Sequence, residues 1–375
     1  MRVAIPAETG PGERRVAMMP EVVPRLTAAG LEVVVESGAG RHAYVSDNAY
    51  RVVGTKVLET GVLAEADVVL TVGPPDGDRA RQLQSGAILI GLLAPSSSLD
   101  LVRILRDGGV TSFAMELVPR ISRAQSMDAL SSQAMVAGYH GVLAAADRLP
   151  RFFPLFMTAA GTTPPARILV LGAGIAGLQA IATAHRLGAM VEAYDVRAAA
   201  AEEVRSLGAT FVDLDLPPLE GEGGYARAMT EERARRQQEL LAPHVAVADV
   251  LITTAAVPGR LAPQLVTSQM VAAMRPGSVV IDLAAESGGN CEPTKPGEEI
   301  RFHDVIVWGK LNVASKLPVH ASQLYARNVT DLLLLMTDSG VVKPDFTDEI
   351  LESCCITHGG EVRHAPTRAL LKEAS

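Results

Sequence analysis

The stretch Arg167-Ile-Leu-Val-Leu-Gly-Ala-Gly-Ile-Ala-Gly-Leu-Gln-Ala-Ile-Ala-Thr-Ala-His-Arg-Leu-Gly-Ala-Met-Val-Glu-Ala-Tyr-Asp-Val-Arg197 reads as strand, glycine turn, helix, strand and acid. Ile168 to Leu171 is a short apolar run rich in branched residues, and it stops at the first of three glycines, Gly172, Gly174 and Gly177. Each glycine has its own task. Gly172 makes the tight turn, Gly174 lets the backbone approach a pyrophosphate, and Gly177 lets the helix pack on the sheet. The helix N-terminus, with its unpaired N–H groups and positive dipole end, then faces the anion. The second strand, Met190 to Tyr194, delivers Asp195, 23 residues after Gly172. That is near the spacing of roughly 20 expected of the acid that holds an adenosine ribose. A carboxylate there repels a 2′-phosphate and favours NAD(H) over NADP(H). Arg197 is the counter-signal, because an arginine just past this strand can pair with a 2′-phosphate.

A length of 375 residues exceeds one ordinary core and suggests two domains. Hydrophobic content of 48% with 20% charged residues is that of a globular protein, and an aromatic share of 4% gives no base-stacking platform. The net charge of −8 offers nothing to nucleic acid or anionic lipid. The opening Met1 to Pro6 lacks the profile of a signal peptide, so a cytoplasmic location is expected. Cys291, Cys354 and Cys355 cannot make a disulfide framework, and with His358 and His364 they match no zinc spacing, so no metal is expected. Ala129 to Ala146 approaches spanning length but carries Ser131, Ser132, Gln133 and His140, and reads as a buried helix. The run Leu332 to Leu335 is too short to cross a bilayer.

Around the fingerprint the rhythm repeats. Arg2–Ile5, Leu31–Glu36, Asp67–Val72, Ala87–Leu93 and Thr111–Glu116 read as strands between helical stretches. So do Phe211–Leu214, Asp249–Thr253, Gly277–Leu283 and Val305–Trp308 after it. Strands alternating with helices imply parallel sheets. The expected fold is therefore α/β, with two doubly wound Rossmann-like domains and a cleft between them. The first comprises 1–130 plus 318–375, with Ala321 to Met336 a long helix packing back on it, and the second comprises 131–317. Glu220 to Tyr225 is a glycine-rich loop, either a surface linker or a lid. Pro119 to Ser132 is a polar island in which Gln125, Asp128 and Ser131 would share a helix face, with Arg120 just before them. It reads either as a helix start capped by Ser126 or Asp128, or as a loop reaching the nicotinamide end of a dinucleotide.

Nearly the whole chain resembles the NAD(H)-binding component of proton-translocating NAD(P) transhydrogenase, and is also similar to its relative, alanine dehydrogenase. The resemblance is carried by Arg2 to Pro6, Glu13 to Ala17, Met115 to Ser132, Thr158 to Thr162 with Pro164 to Arg167, the fingerprint through Arg197, and Asp282 to Cys291. It implies that Arg120, Gln125, Asp128 and Ser131 hold the nicotinamide and its ribose, with Gln125, Arg120 and Asp128 orienting the ring for reaction. It implies further that Gly172, Ala173, Gly174, Ile175, Gly177, Asp195, Val196, Arg197, Gln237 and Ala256 line the NAD(H) site. Gly224 and Tyr225 would belong to a loop closing over it. The implied reaction is direct hydride transfer from NADH to NADP⁺ on the NADP(H)-binding partner β subunit, with no protein acid or base. Proton translocation would be carried by a membrane-spanning α2-type subunit, with this chain, a homodimer, peripheral to the inner membrane through its partners. The alternative is an alanine dehydrogenase. Arg15 would match that family's carboxylate-binding arginine and Glu286 stands where it has an aspartate, but the lysine expected near Thr71 and the histidine expected within Ile90 to Ala94 are absent.

Overall fold

The structure is a computed structural model that describes residues 1–217, 230–256 and 261–373. The chain divides into two compact units, Met1–Gln133 with Ser315–Ser375, and Ala134–Ala314. The helix Ala129–Arg148 begins in the first, and the chain returns to the first at Ser315.

The first unit is built on an eight-stranded sheet in the order Glu361–Val362, Cys355–His358, Thr111–Ala114, Ile88–Gly91, Val68–Leu70, Arg2–Ile5, Glu32–Glu36, Lys56–Leu58. The six strands from the N-terminal part are parallel, so both faces must be covered, and the central strands Val68–Leu70 and Ile88–Gly91 are apolar and buried throughout, whereas the edge strand Lys56–Leu58 is not. One face packs against the helix Pro318–Leu335 through Tyr325, Val329 and Leu333, and the other against Leu99–Asp107. The C-terminal tail adds an antiparallel hairpin, Cys355–His358 with Glu361–Val362, along Thr111–Ala114. Its first three residues, Cys355, Ile356 and Thr357, are fully buried, which is what ties the tail down.

The second unit carries a seven-stranded sheet in the order Thr210–Phe211, Met190–Tyr194, Arg167–Leu171, Val250–Thr253, Val279–Asp282, Val305–Trp308, Glu299–Phe302. All pairings are parallel except the last, an antiparallel edge that the sequence does not announce. Ile168, Val170 and Ile252 pack with Ala180 and Ala184 of the fingerprint helix Ile175–Arg186, while Leu169, Leu171 and Leu251 pack with Leu241 and Val245 across the sheet. The helix Glu231–Val247 runs on past Pro243. Burial of Val245 beside Leu241 outweighs the lost backbone bond. A separate two-stranded hairpin, Phe156–Thr158 with Gly161–Thr163, precedes the fingerprint and is exposed along both strands.

Two features of these cores are open to direct test. On the helix Ala129–Arg148, a Cβ on Gly138 would lie 2.1 Å from the carbonyl oxygen of Ala176, whereas one on Gly141 would meet only side-chain atoms of Leu283 and Ile281 at 3.3 to 3.4 Å. Helix propensity alone would make either Gly→Ala change stabilising by about 1 kcal/mol. Backbone overlap reverses the sign at Gly138, where Gly138→Ala is expected to destabilise by roughly 1–3 kcal/mol in urea unfolding, well beyond Gly141→Ala. Equal midpoints for the two variants would contradict the close approach. In the first unit, burial pushes the Glu8 carboxyl up from 4.5 to about 7, against the opposing effect of the N–H groups of Val72 and Gly73 that it accepts. Between those two values the folded chain retains a proton that the unfolded chain has released, so stability falls as pH rises through that window. Glu8→Gln should therefore gain thermal stability relative to the wild type as pH goes from 4.5 to 7. A difference independent of pH would exclude titration of Glu8.

Candidate functional site

In an open parallel sheet, ligands bind at strand exits where the order reverses. In the second unit that point lies between Arg167–Leu171 and Val250–Thr253, whose exits are Gly172 and Thr254. Gly172 has φ +99°, a left-handed conformation that side chains disfavour. A Cβ on Gly177 would lie 1.8 Å from the Gly172 carbonyl oxygen, so only glycine lets the helix start this close to the turn. Gly174, in contrast, faces open space, with nothing within 4 Å of where its Cβ would stand. The helix begins there without a side-chain cap, and Ile175 is 41% exposed at its mouth. The first-turn N–H groups of a 12-residue helix thus begin beside Gly174, where the surface is open.

Asp195 stands at the end of the neighbouring strand and accepts a hydrogen bond from the N–H of Ala173 at 2.7 Å. Arg197 folds back on it: its backbone N–H and Nε both donate to Oδ1, at 2.9 and 3.0 Å, and its Nη2 reaches the Ala173 carbonyl at 3.0 Å. The guanidinium is therefore engaged with the acid it follows. Val196 packs against the core on the Leu171 side. Gln237 is buried at 1% exposure and accepts from the Tyr194 hydroxyl at 3.1 Å, so it supports the residue before Asp195. Ala256 is exposed at the next strand exit. Gly224 and Tyr225 lie outside the described residues.

Arg120, Gln125, Asp128 and Ser131 all belong to the first unit. The polar island forms a 3-10 turn, Ser122–Met127, leading into the helix Ala129–Arg148. Asp128 caps that helix, accepting from the Ser131 N–H at 2.8 Å and from its hydroxyl. The turn is pinned from below: Ala124 and Met127 are buried, and Asn328 donates to the Ser126 carbonyl at 2.7 Å. Arg123 is bidentate to Asp348. Arg120 and Gln125 stand exposed on this rigid base. Neither Asn328 nor Arg123 stands out in the sequence, because each meets its partner across some 200 residues of chain or more.

The first unit repeats the order of the five central strands around its own reversal point, but the chain fills it. Glu8 occupies the Val72 and Gly73 N–H groups, and Glu36, at the end of the second strand, accepts from the Ala7 N–H at 2.7 Å and pairs with Arg79. Arg15 is similarly spent. Its Nε and Nη2 bond Glu13 at 2.8 and 2.7 Å, and its Nη1 bonds Gln133 at 2.8 Å, with Arg15 8% exposed. Thr71 is 3% exposed, and the N–H groups of Leu93 and Ala94 are taken by Glu116. Glu286, where alanine dehydrogenase would have an aspartate, accepts from the N–H of Asn312.

Two family models match the chain. The N-terminal domain model of alanine dehydrogenase/PNT matches residues 4–137, and the C-terminal domain model matches residues 141–365. The chain is 45% identical to the first part of the NAD(P) transhydrogenase alpha subunit of Rhodospirillum rubrum, over 97% of this chain and 98% of that protein. It is 30% identical to alanine dehydrogenase of Mycobacterium tuberculosis over 96% and 94% of the two chains. The crystal structure of transhydrogenase from Sinorhizobium meliloti superposes with a TM-score of 0.86 at 43% identity, covering 98% of this chain and all of that one. The chain belongs to the alanine dehydrogenase/PNT family of oxidoreductases, among its NAD(P) transhydrogenase alpha subunits.

Proposed function

We propose that this chain is the NAD(H)-binding component of a proton-translocating transhydrogenase, and that it holds the dinucleotide for hydride exchange with NADP(H) on a partner β subunit. The observation that carries this reading is the glycine turn: a helix start that only Gly177 permits, open at Gly174, with Asp195 one strand away. The donor set fits a dinucleotide. Unpaired N–H groups of the helix would take the pyrophosphate, and the Asp195 carboxylate would take the adenosine ribose hydroxyls. Arg197 is already engaged by Asp195, so pairing it with a 2′-phosphate would mean giving up that ion pair. When bound, the nicotinamide supplies the hydride chemistry itself. The task left to the chain is orientation, for which Gln125, Arg120 and Asp128 are the proposed groups, with Ser131 fixing Asp128.

No helix among the described residues is long and apolar enough to cross a membrane, and translocation is accordingly assigned to a membrane-spanning α2-type subunit, with this chain peripheral to it. We assign a homodimer as well. Phe152, Leu155, Phe156 and Met157 are 57, 50, 43 and 76% exposed on or beside the isolated hairpin, and two such self-complementary apolar surfaces suit a two-fold contact. An alanine dehydrogenase is disfavoured because its substrate carboxylate would have to displace Glu13 from a buried ion pair with Arg15.

The deciding assay is reduction of an NADP⁺ analogue by NADH, with this chain alone and with the NADP(H)-binding subunit added. Turnover is expected only in the mixture; none in the mixture, or turnover with pyruvate and ammonia by this chain alone, would overturn the proposal. In the working mixture, Asp195→Ala should raise the Kd for NADH roughly tenfold or more, the loss of about two charge-assisted hydrogen bonds. Gln125→Asn should leave that Kd within about twofold and lower kcat. An unchanged kcat would remove Gln125 from the orienting set. Met157→Asp should convert a dimer to a monomer in sedimentation equilibrium, and a persisting dimer would place the contact elsewhere.

A further inference from the structure

The exit loop after Val250–Thr253 is held from two sides. On one side, Thr254 donates from its hydroxyl to the Gly172 carbonyl at 2.9 Å and from its N–H to the Leu171 carbonyl at 2.9 Å. The same hydroxyl oxygen would stand 2.6 Å from a Cβ on Gly172 and 3.1 Å from one on Gly177, so it fills the space that both glycines leave. On the other side, Asn290, wholly buried, grips the next residue by both backbone groups. Its Oδ1 accepts from the Ala255 N–H at 2.9 Å, and its Nδ2 donates to the Ala255 carbonyl at 2.7 Å and to the Pro263 carbonyl at 2.8 Å.

Asn290 is in turn hung on a buried carboxylate. Asp282, with no exposed surface, accepts from the N–H groups of Asn290 and Cys291 and the hydroxyl of Thr294 on Oδ2, and from the Thr253 hydroxyl and the Ala284 N–H on Oδ1. Five donors around one carboxylate make a compact, charge-assisted anchor. Hydrogen bonds therefore link Asp282 to Asn290 and Asn290 to Ala255, and across the Thr254–Ala255 peptide bond Thr254 carries the connection to the carbonyl of Gly172. That carbonyl is the atom against which Gly177 is packed.

We infer that Thr254 and Asn290 are positioning residues of the dinucleotide site, which set the spacing between the glycine turn and the helix N-terminus and thereby the affinity for the pyrophosphate. The inference rests on the NAD(H) reading of that turn. Both side chains are committed to backbone groups of the turn and its neighbouring loop. Each acts through backbone: Thr254 by fixing the direction of the Gly172 carbonyl, and Asn290 by fixing the loop that carries Thr254. Without the hydroxyl, the Gly172 carbonyl loses its side-chain donor, and its direction is no longer fixed from that side. The hydride step, which depends on the other end of the ligand, should be indifferent to this change.

The test is Thr254→Val, which keeps the shape and removes the donor, beside Thr254→Ser, which keeps the donor. The Kd for NADH and for ADP-ribose should both rise roughly tenfold in Thr254→Val, the effect of one net hydrogen bond. Both should return to within about threefold of the wild type in Thr254→Ser. In the assay with the NADP(H)-binding subunit, KM for NADH should rise with kcat within about twofold. A lower melting temperature with unchanged Kd values would show a merely structural role and overturn the inference, as would equal losses in the two variants. Failure of the wild-type chain to bind NADH would overturn the reading of the site itself, and the inference with it. Wild-type binding with an insensitive Thr254→Val variant would overturn the inference alone.

Discussion

The constraint on which the second unit depends is the distance between the Gly172 carbonyl and the backbone of Gly177. A Cβ at Gly177 would have to sit 1.8 Å from that oxygen, closer than any non-bonded contact permits. Because the residue is glycine, the helix starts directly at the strand exit, and its dipole end is delivered to the reversal point of the sheet. That approach aligns Ala180 and Ala184 with Ile168, Val170 and Ile252, so that the small residues of the helix lie flat on the branched residues of the strands. Gly138 does for the helix Ala129–Arg148 what Gly177 does for the turn, letting it rest on the backbone of Ala176. Core and site are consequently one arrangement, and a change that loosens either is felt in both.

The two units make an informative pair because they share the strand order around the reversal point and differ in what occupies it. In each, the backbone N–H two residues past the first strand donates to an acid at or just past the end of the second, Ala7 to Glu36 and Ala173 to Asp195. In each an arginine closes over that acid, Arg79 over Glu36 and Arg197 over Asp195, but in the first unit the Glu8 side chain reaches across the reversal point to the Val72 and Gly73 N–H groups. In the second unit, the corresponding space at Gly174 is open. A parallel sheet offers a binding crest by topology alone, and side chains decide whether the chain itself or a ligand uses it.

The second unit is legible in the sequence because its signals are local. Strand, three glycines, helix and acid fall within 31 residues, and each has a backbone reason for its position. The alternation of apolar runs with helical stretches likewise conveys both sheets. Other elements are hidden for physical reasons. The hairpin Cys355–His358 with Glu361–Val362 pairs with Thr111–Ala114 across more than half of the chain, and no local period announces such a partner. The edge strand Glu299–Phe302 alternates exposed and half-buried residues, a weak pattern for so short a segment. Pro243 is a helix-breaking signal in the sequence, and tertiary burial of Val245 carries the helix past it.

Within the site, residues whose backbone conformation matters can be read from sequence, and residues that act through another residue's backbone cannot. Gly172 and Gly177 announce themselves because few residue types can stand there. Thr254 and Asn290 do not, since threonine after a strand and asparagine after two glycines are ordinary loop residues in any sequence. Their importance lies in where their hydrogen bonds end, on the Gly172 carbonyl and on both backbone groups of Ala255. The same holds for Asn328, which supports the turn bearing Gln125 from a helix some 200 residues away. Such supports transmit position without contacting a ligand. Substitutions there should be read first as changes in the geometry of the glycine turn or the polar turn, and only then as losses of packing.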